Sequence, residues 1–343
     1  MIRDGRPEDA RNASKVDGLG DIPSFAGFFQ TQAATDNNMF WWYFPSQDGN
    51  VSAPLVIWLQ GGPGGSSLFG LFAEMGPFDL TANLTIIDRP TSWNKKYAML
   101  FIDNPVGAGF SYTSMDAGYC KDQTCVASNL FSLMTQFYTV FPETLAGGLY
   151  ITGESYAGHY VPGFAHYIHV HNTKARSASA RRSLRSAAED PLIIPLKGIA
   201  VGDGWVDPVE QMGGYPEMMY SLGLADDLQR AKIEEYCNAT IQHIKAGEMY
   251  EAFGIWDQML NGDVFPYPNY FHNITGSNDY DNFMNTNAPP NFGYFAAWAN
   301  QADVREKLHV GNRTFQSGHE CELHLLSDFM VLPGPGASRA GLC

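Results

Sequence analysis

Ser155 is the residue whose surroundings most directly suggest chemistry. It lies in the stretch GESYA, residues 153–157, which matches a nucleophile elbow with alanine in the second small position. A serine on a sharp strand-to-helix turn needs small neighbours, because side chains two positions away would collide with the tight backbone. An apolar strand pattern precedes Ser155 and a helical pattern follows it. A bare match to this motif is more often a Gly-rich turn, but this context predicts a nucleophile.

A second glycine run could supply hydrogen-bond donors for such a nucleophile. The stretch WLQGGPGGSS, residues 58–67, follows another predicted buried strand. It lacks the spacing and the lysine of a phosphate-binding P-loop, so that site is excluded. Backbone N–H groups of this loop, together with the N–H of Tyr156, would form an oxyanion hole. The two motifs together predict acyl-transfer chemistry at Ser155.

Four short apolar runs predict the strands that position these motifs. They close on glycine or on Asn-Pro, as buried strands of an α/β sheet do, and they are APLVIWLQ, YAMLFIDNP, GLYITG and LKGIAVGDG. Between them, residues 126–138 carry apolar side chains at helical spacing, and Pro142 follows the end of that pattern. An early hairpin is predicted from FAGFFQT and FWWYFPS, which flank a turn. Strands alternating with helices give an α/β fold.

The chain changes character after the fourth run. Residues 210 to 265 read as helices with no obvious strand, which predicts a helical insertion over one end of the sheet. Residues 174–190, KARSASARRSLRSAAED, are basic and rich in serine and alanine. We expect an exposed loop there, with a trypsin-like processing site as the alternative.

Composition narrows the function classes. The 343 residues are 45% hydrophobic and 13% aromatic, which is globular composition, and no apolar run is long enough to span a membrane. The net charge of −15 argues against nucleic acid as a partner, because no basic stripe is available for phosphate contacts. The first ten residues are charged, so no secretory signal is visible.

Sequons and cysteines nonetheless point to the secretory pathway. Chance would give roughly two N-x-S/T sequons in a chain of this composition. The sequence has six, at Asn12, Asn50, Asn83, Asn238, Asn273 and Asn312. Singly, each is best read as an ordinary polar loop, but the excess favours a secreted or lysosomal glycoprotein whose signal peptide lies outside this sequence. The five cysteines allow disulfides; Cys120 and Cys125 could close a small loop, and the others are Cys237, Cys321 and Cys343.

Several motifs together resemble the serine carboxypeptidase family. WLQGGPGGSS, IDNPVGAGFSY, GESYAGHYVP and GDGWVDP occur in the order and spacing of that family, and the similarity runs from about residue 22 to 314. The sequence looks most like the vitellogenic-like branch, in which Gln and Gly replace the Asn and Cys common elsewhere in the first motif. The resemblance implies an α/β-hydrolase fold with a helical cap and a Ser-Asp-His triad. It also implies release of C-terminal amino acids from peptide substrates, usually at acidic pH, with no cofactor and no metal.

The resemblance also assigns roles to individual residues. Ser155 is the nucleophile, and Gly62 and Tyr156 supply the oxyanion N–H groups. Gln60, Glu74 and Glu154 match the group that holds the terminal carboxylate of the substrate. Two carboxyl groups can bind a carboxylate only if one keeps a proton, as happens when like charges crowd and one pKa rises. Without the resemblance, a solvated or helix-capping role would be the preferred interpretation of both glutamates.

The aspartate and the histidine that would complete a triad with Ser155 are not identified by these motifs. In α/β-hydrolases the acid and then the histidine follow the serine along the chain. Asp103 and Asp203 end predicted strands, but no histidine follows either in a matching context. His319 has the Gly-His dipeptide without matching surroundings. We expect four further histidines, which follow the elbow on one helix, to serve as surface or packing residues: His159, His166, His169 and His171.

These observations lead to a domain prediction and to two classes of function. We expect the core of the hydrolase at 22–205, a mainly helical cap at 206–300, a return toward the core at 301–314 and a tail at 315–343 that departs from the family pattern. The C-terminal strands of the sheet, the triad Asp and the triad His are expected to be missing from this chain, which would then be inactive.

One hypothesis is a serine carboxypeptidase acting through an acyl-enzyme. The alternatives are an inactive secreted glycoprotein or an acyltransferase of the same family. The sequence does not indicate an oligomeric state.

Overall fold

The computed structural model describes residues 1–182, 191–262 and 268–316, together with 318, 324, 325, 328 and 330. The chain divides into two compact units. The first comprises Met1–Gly204 and Asn291–His324, and the second comprises Trp205–Pro290 and Leu325–Cys343. Both candidate motifs, around Ser155 and in residues 58–67, belong to the first unit.

The described part of the first unit contains nine strands. They are β1 (Lys15–Val16), β2 (Ser24–Gln32), β3 (Asn37–Phe44), β4 (Leu55–Leu59), β5 (Phe78–Leu80), β6 (Ile86–Asp88), β7 (Ala98–Ile102), β8 (Leu149–Glu154) and β9 (Leu196–Gly202). Seven of them form one sheet in the order β1-β2-β3-β7-β4-β8-β9, and β5 pairs with β6 as a separate hairpin.

The sheet is antiparallel on one side and parallel on the other. β2 pairs antiparallel with β1 and β3, and β3 pairs antiparallel with β7. The pairs β7–β4, β4–β8 and β8–β9 are parallel. The carboxyl ends of these four parallel strands therefore share one edge of the sheet, which is where ligands bind in open α/β folds.

Helices surround the sheet and make up most of the second unit. Those of the first unit are α1 (Pro7–Ala13), α2 (Gln123–Val140), α3 (Ala157–Arg182), α9 (Tyr294–Ala299) and α10 (Ala302–Lys307). Those of the second are α4 (Pro208–Met212), α5 (Gly214–Ser221), α6 (Asp227–Ala246), α7 (Met249–Trp256) and α8 (Tyr270–Thr275).

Capping residues explain where α2 begins and where α6 begins and ends. Asp122 precedes α2, and its carboxylate accepts the backbone N–H of Cys125 at 2.8 Å. Asp226 and Gln229 form a reciprocal capping box at the start of α6. Gly247 ends α6 with a φ of 81°, a conformation that glycine adopts without strain.

The core of the first unit lies around β3, all of whose residues are buried. Trp42 is fully buried and its ring stacks on that of Trp298 at 6.0 Å. Phe137 of α2 packs edge-on against Trp41 from the opposite face of the sheet. Burial of side chains of this size contributes the largest favourable term to folding. The sheet that carries the candidate site is thus packed on both faces.

Most elements predicted from the sequence are confirmed. The early hairpin is β2–β3, the four apolar runs are β4, β7, β8 and β9, and the helical spacing corresponds to α2. The described residues of 206–300 contain helices and no strand. The short strands β1, β5 and β6 were not predicted. No described helix combines the length and apolarity needed to cross a membrane.

The predicted loop at 174–190 is wrong in its first half. α3 continues to Arg182, so residues 174–182 are helical, while 183–190 lie outside the described residues. Ala, Lys and Arg are strong helix formers, and they dominate this stretch. The prediction of exposure is confirmed for Lys174, Arg176 and Ser177, whose side chains face solvent.

Candidate active site

Ser155 lies on the turn between β8 and α3 with a φ of 54°. This left-handed conformation is costly for a residue other than glycine and is held by the surrounding structure. A Cβ at Gly153 would lie 2.3 Å from the Leu59 carbonyl oxygen and 2.7 Å from the Ala157 Cβ. Small residues at 153 and 157 are therefore required for β8 to pack beside β4 and turn directly into α3.

The glycine-rich loop contacts this turn through Gly61. A Cβ at Gly61 would lie 2.7 Å from the Ser155 Cβ and 2.8 Å from the Tyr156 backbone nitrogen. The next residue, Gly62, has a φ of 112°, which a residue with a side chain rarely adopts. The structure thus brings Ser155, Tyr156 and Gly62 into one neighbourhood, with Gly61 as the point of contact.

Two serines and one buried aspartate anchor the far end of the loop. The Ser67 hydroxyl accepts the Gln60 N–H at 3.2 Å and lies 2.6 Å from the Ile102 carbonyl oxygen. The Ser66 hydroxyl donates to the Asp103 carboxylate, which also accepts the Phe110 N–H at 2.8 Å. The loop is therefore fixed to the carboxyl ends of both β4 and β7.

Asp103 is almost completely buried, at 1% exposure. Burial raises the pKa of Asp103 to about 7, although hydrogen bonds from Ser66, Phe110 and Ser67 act in the opposite direction. No histidine is among the described partners of its carboxylate. Asp103 supports the loop, and nothing in its surroundings indicates the role of a triad acid.

Gln60, Glu74 and Glu154 form one hydrogen-bonded cluster beside Ser155. The Gln60 amide N–H donates to the Glu154 carboxylate, and Glu74 is hydrogen-bonded to both of these residues. Burial, followed by the hydrogen bond and the charge of Glu154, raises the pKa of Glu74 to about 9. Glu74 therefore keeps its proton at neutral pH and can donate a hydrogen bond to an anion.

Trp58 fixes the orientation of the Gln60 amide. Its indole N–H donates to Gln60 Oε1 at 2.9 Å, so the amide N–H₂ must point the other way, toward Glu154. The indole lies over Gly70, where a Cβ would be only 2.3 Å from Nε1. A larger residue at 70 would displace the ring that orients the amide.

Comparison with known proteins agrees with this geometry. A family model described as serine carboxypeptidase (Peptidase S10) matches residues 16–329, most of the chain. The chain belongs to the serine carboxypeptidase family. The match extends 15 residues beyond residue 314, the limit expected from the motifs.

Individual relatives support the same assignment. The chain is 42% identical over 330 residues to the probable serine carboxypeptidase CPVL of Homo sapiens, covering 95% of this chain and 66% of that protein. It is 39% identical to the venom serine carboxypeptidase of Apis mellifera, covering 96% of this chain and 67% of that protein. The chain thus spans about two thirds of the length of such relatives.

A solved structure confirms the predicted α/β-hydrolase fold. The crystal structure of Kex1(delta)p, a prohormone-processing carboxypeptidase from Saccharomyces cerevisiae, superposes with a TM-score of 0.71 at 24% sequence identity. The superposition covers 93% of this chain and 73% of that chain. At this level of identity the likeness concerns the fold.

The four histidines of α3 have surface or packing environments. His166 and His169 are exposed, and His171 stacks on Tyr167 with ring centroids 4.2 Å apart. His159 stacks on Tyr156 at 4.8 Å. The predicted surface and packing roles are confirmed, and no described histidine is hydrogen-bonded to the side chain of Ser155.

Of the histidines His319 and His324 in the C-terminal region, the structure describes His324. His324 Nε2 lies 3.3 Å from the Asp116 carboxylate, and its ring stacks on Tyr119 at 4.7 Å. His319, which was considered for its Gly-His dipeptide, lies outside the described residues.

One disulfide and six exposed sequon asparagines occur among the described residues. Cys120 and Cys125 form a disulfide, which confirms the expected small loop. Cys237 is buried and unpaired, with its sulfur 3.9 Å from that of Met259, and Cys321 and Cys343 lie outside the described residues. All six sequon asparagines are exposed: Asn12, Asn50, Asn83, Asn238, Asn273 and Asn312.

Sequence reasoning missed three residues that build the site. Trp58 acts through a hydrogen bond to Gln60 two residues along the chain, Asp103 acts through hydrogen bonds to a distant segment, and no motif marks either contact. Gly61 could have been found, because it lies in the loop already assigned to the oxyanion hole. Its neighbour Gly62 was chosen from the resemblance alone.

Proposed function

We propose that the protein is a serine carboxypeptidase in which Ser155 attacks the last peptide bond of a substrate. Gln60, Glu74 and Glu154 hold the terminal carboxylate of that substrate, and Gly62 and Tyr156 donate their backbone N–H groups to the oxyanion. Family membership supports the reaction class. The observation that carries the proposal is the position of the Gln60–Glu74–Glu154 cluster. Its member Glu154 ends β8 and immediately precedes Ser155.

The chemistry requires a proton acceptor for the serine. Ser155 Oγ would bond to the carbonyl carbon and form a tetrahedral intermediate whose O⁻ is stabilised by the two N–H groups. Collapse would break the C–N bond, release the C-terminal amino acid with a proton on its amine, and leave an acyl ester on Ser155. Water would then hydrolyse the ester. The resemblance assigns the proton transfers to a histidine oriented by an aspartate.

The carboxylate cluster explains why a carboxypeptidase site contains acids. An ionised glutamate would repel the terminal carboxylate of a peptide, whereas a protonated one donates a hydrogen bond to it. Burial and the proximity of Glu154 keep Glu74 protonated. The Gln60 amide supplies a second donor without charge. Recognition therefore needs one retained proton, and it fails when that proton is lost.

The surface chemistry supports passage through the secretory pathway, to a secreted or lysosomal destination. All six sequon asparagines are accessible to glycosylation, and the Cys120–Cys125 disulfide fits an oxidising compartment. Expression in a eukaryotic secretion system tests this. Endoglycosidase treatment should reduce the apparent mass, and no mass change would contradict glycosylation.

Paired peptides test the proposed function. Blocked dipeptides with a free carboxylate should bind at least tenfold more tightly than the matching C-terminal amides, because the amide lacks the anionic acceptor. Glu74→Ala, which removes the protonated donor, should remove most of that difference, while Ser155→Ala should retain it. Equal binding of acid and amide by the wild type would refute carboxylate recognition.

The same peptides test the reaction. Release of the C-terminal amino acid, followed by mass spectrometry, should depend on Ser155 if the residues that transfer the proton belong to this chain. Selective binding of free acids without release would instead support a recognition role for this chain. Release that persists in Ser155→Ala would refute the nucleophile assignment.

A further inference from the structure

Asp203 lies immediately beside the candidate nucleophile. β8 and β9 pair in parallel with Glu154 opposite Gly202, so the next residues along the two strands, Ser155 and Asp203, are neighbours. The Ser155 backbone N–H donates to the Gly202 carbonyl oxygen at 3.0 Å. The same N–H also lies within hydrogen-bonding reach of the Asp203 carboxylate. Asp203 is thus fixed against the elbow by strand register.

The conformation of Asp203 is unusual. Its φ is 38°, in the left-handed region that aspartate and asparagine enter more readily than other residues with side chains. Its side chain is nevertheless exposed. A strained backbone at the end of a strand therefore directs a carboxylate to the surface that a substrate of Ser155 must cross.

The charge of Asp203 is not neutralised within the described part of the chain. No described lysine or arginine forms an ion pair with it; partial burial and the Ser155 N–H are what act on the carboxylate. It is close enough to Glu74 for its charge to help raise the pKa of Glu74. The carboxylate is therefore available to a cation brought by a ligand.

The order of the strands places the Asp203 carboxylate on the side of Ser155 opposite to Gln60. β8 lies between β4 and β9, so Gln60 at the end of β4 and Asp203 at the end of β9 lie on opposite sides of Ser155. In the proposed function the terminal carboxylate is held on the Gln60 side. The residue on the amino side of the scissile bond must then extend toward Asp203.

We propose that Asp203 is a specificity-determining residue that favours substrates with lysine or arginine on the amino side of the scissile bond. This inference rests on the proposed function. A guanidinium or ammonium group at that position would form a charge-assisted hydrogen bond with the carboxylate, which is stronger than a hydrogen bond between neutral groups. An acidic side chain at the same position would be repelled.

Binding of two nearly isosteric free-acid peptides tests the inference without requiring turnover. The probes are blocked Arg-Leu and blocked citrulline-Leu, which share their shape and terminal carboxylate and differ in one charge. The wild-type chain should bind the arginine peptide roughly tenfold more tightly. Asp203→Asn should bring the ratio to about one, since asparagine tolerates the same backbone conformation.

A second variant controls for the general effect of charge. Asp88→Asn removes one exposed carboxylate from β6 and should leave the tenfold ratio unchanged. If wild type binds both free acids equally and more tightly than their amides, the role of Asp203 is refuted while the proposed function stands. If the acids bind no better than the amides, or neither binds, both are refuted. An equal loss of ratio in Asp88→Asn would attribute the preference to net charge and overturn the inference.

Discussion

The retained proton on Glu74 makes a quantitative prediction about peptide binding. A rise in pKa from the ordinary 4.5 to about 9 corresponds to on the order of 6 kcal/mol in favour of the protonated form. Between pH 5 and 8, Glu74 therefore stays neutral while the peptide carboxylate is ionised. The dissociation constant of a free-acid dipeptide should be constant over that range. Above pH of about 9 it should rise tenfold per pH unit, because binding requires one proton that the free protein has lost.

Titration calorimetry from pH 5 to 10 measures this dependence directly. The perturbation is Glu74→Gln, which replaces the protonated carboxyl by an amide that donates at every pH. The variant should bind the same peptide with no alkaline loss. The matching C-terminal amide serves as the control, and its weak binding should not follow the titration of Glu74.

Two results would refute the reasoning. A tenfold loss of binding per pH unit already between pH 5 and 8 would mean that burial and Glu154 do not hold the proton in place. An alkaline loss that persists in Glu74→Gln would assign the titration to another group.

Four further predictions concern the framework of the site and the sheet that carries it. Asp103→Ala would leave the Ser66 hydroxyl and two backbone N–H groups without an acceptor, so urea denaturation should show a loss of roughly 3–6 kcal/mol. Because the folded state raises the pKa of Asp103 from 3.8 to about 7, the unfolding free energy should be highest below pH of about 4. It should fall by at most on the order of 4 kcal/mol toward pH 7, and Asp103→Asn should flatten that fall. Gly61→Ala should displace the elbow and abolish any chemistry at Ser155, with a folded far-ultraviolet spectrum retained. Ile199 is 41% exposed on β9, the last strand in the order of the described sheet, and should promote strand-to-strand association there, so Ile199→Lys should reduce light scattering at high concentration.

The parts of the fold that follow from local pattern could be predicted. The strands β4 and β7 are buried along their whole length and β8 is mostly buried, so they are continuous apolar runs, and such runs are distinctive in a sequence. β9 could be predicted from its own apolar run, although most of its residues are exposed or only partly buried. The elbow at Ser155 could be predicted because its small residues have a steric cause that is local. The helical part of 174–190, residues 174–182, was missed because the prediction considered burial and not helix propensity. Its composition favours a helix, but a segment with little to bury resembles a loop when only burial is considered.

The support of the site could not be predicted, because it depends on contacts between distant segments. Asp103 is separated from Ser66 by 37 positions, and only the pairing of β7 with β4 makes them neighbours. From the sequence, Asp103 was considered as a triad acid and set aside only because no histidine follows it in a matching context. Its burial, and the three donors that surround it, distinguish these roles and exist only in the folded chain.

In the proposed function, the register between β4 and β8 explains why carboxylate recognition and attack by Ser155 occur at one place. β4 and β8 pair with Leu59 opposite Gly153, so the residues that follow, Gln60 and Glu154, meet at the sheet edge. Glu154 is covalently followed by Ser155, so the residue proposed to hold the substrate carboxylate also fixes the distance to the proposed nucleophile. A slip of one residue in this pairing would separate the Gln60 amide from Glu154 and move the glycine loop off the elbow at the same time. In the proposed function, carboxylate recognition and oxyanion stabilisation are therefore consequences of a single register, and that register would place the bond next to a free C-terminus over Ser155.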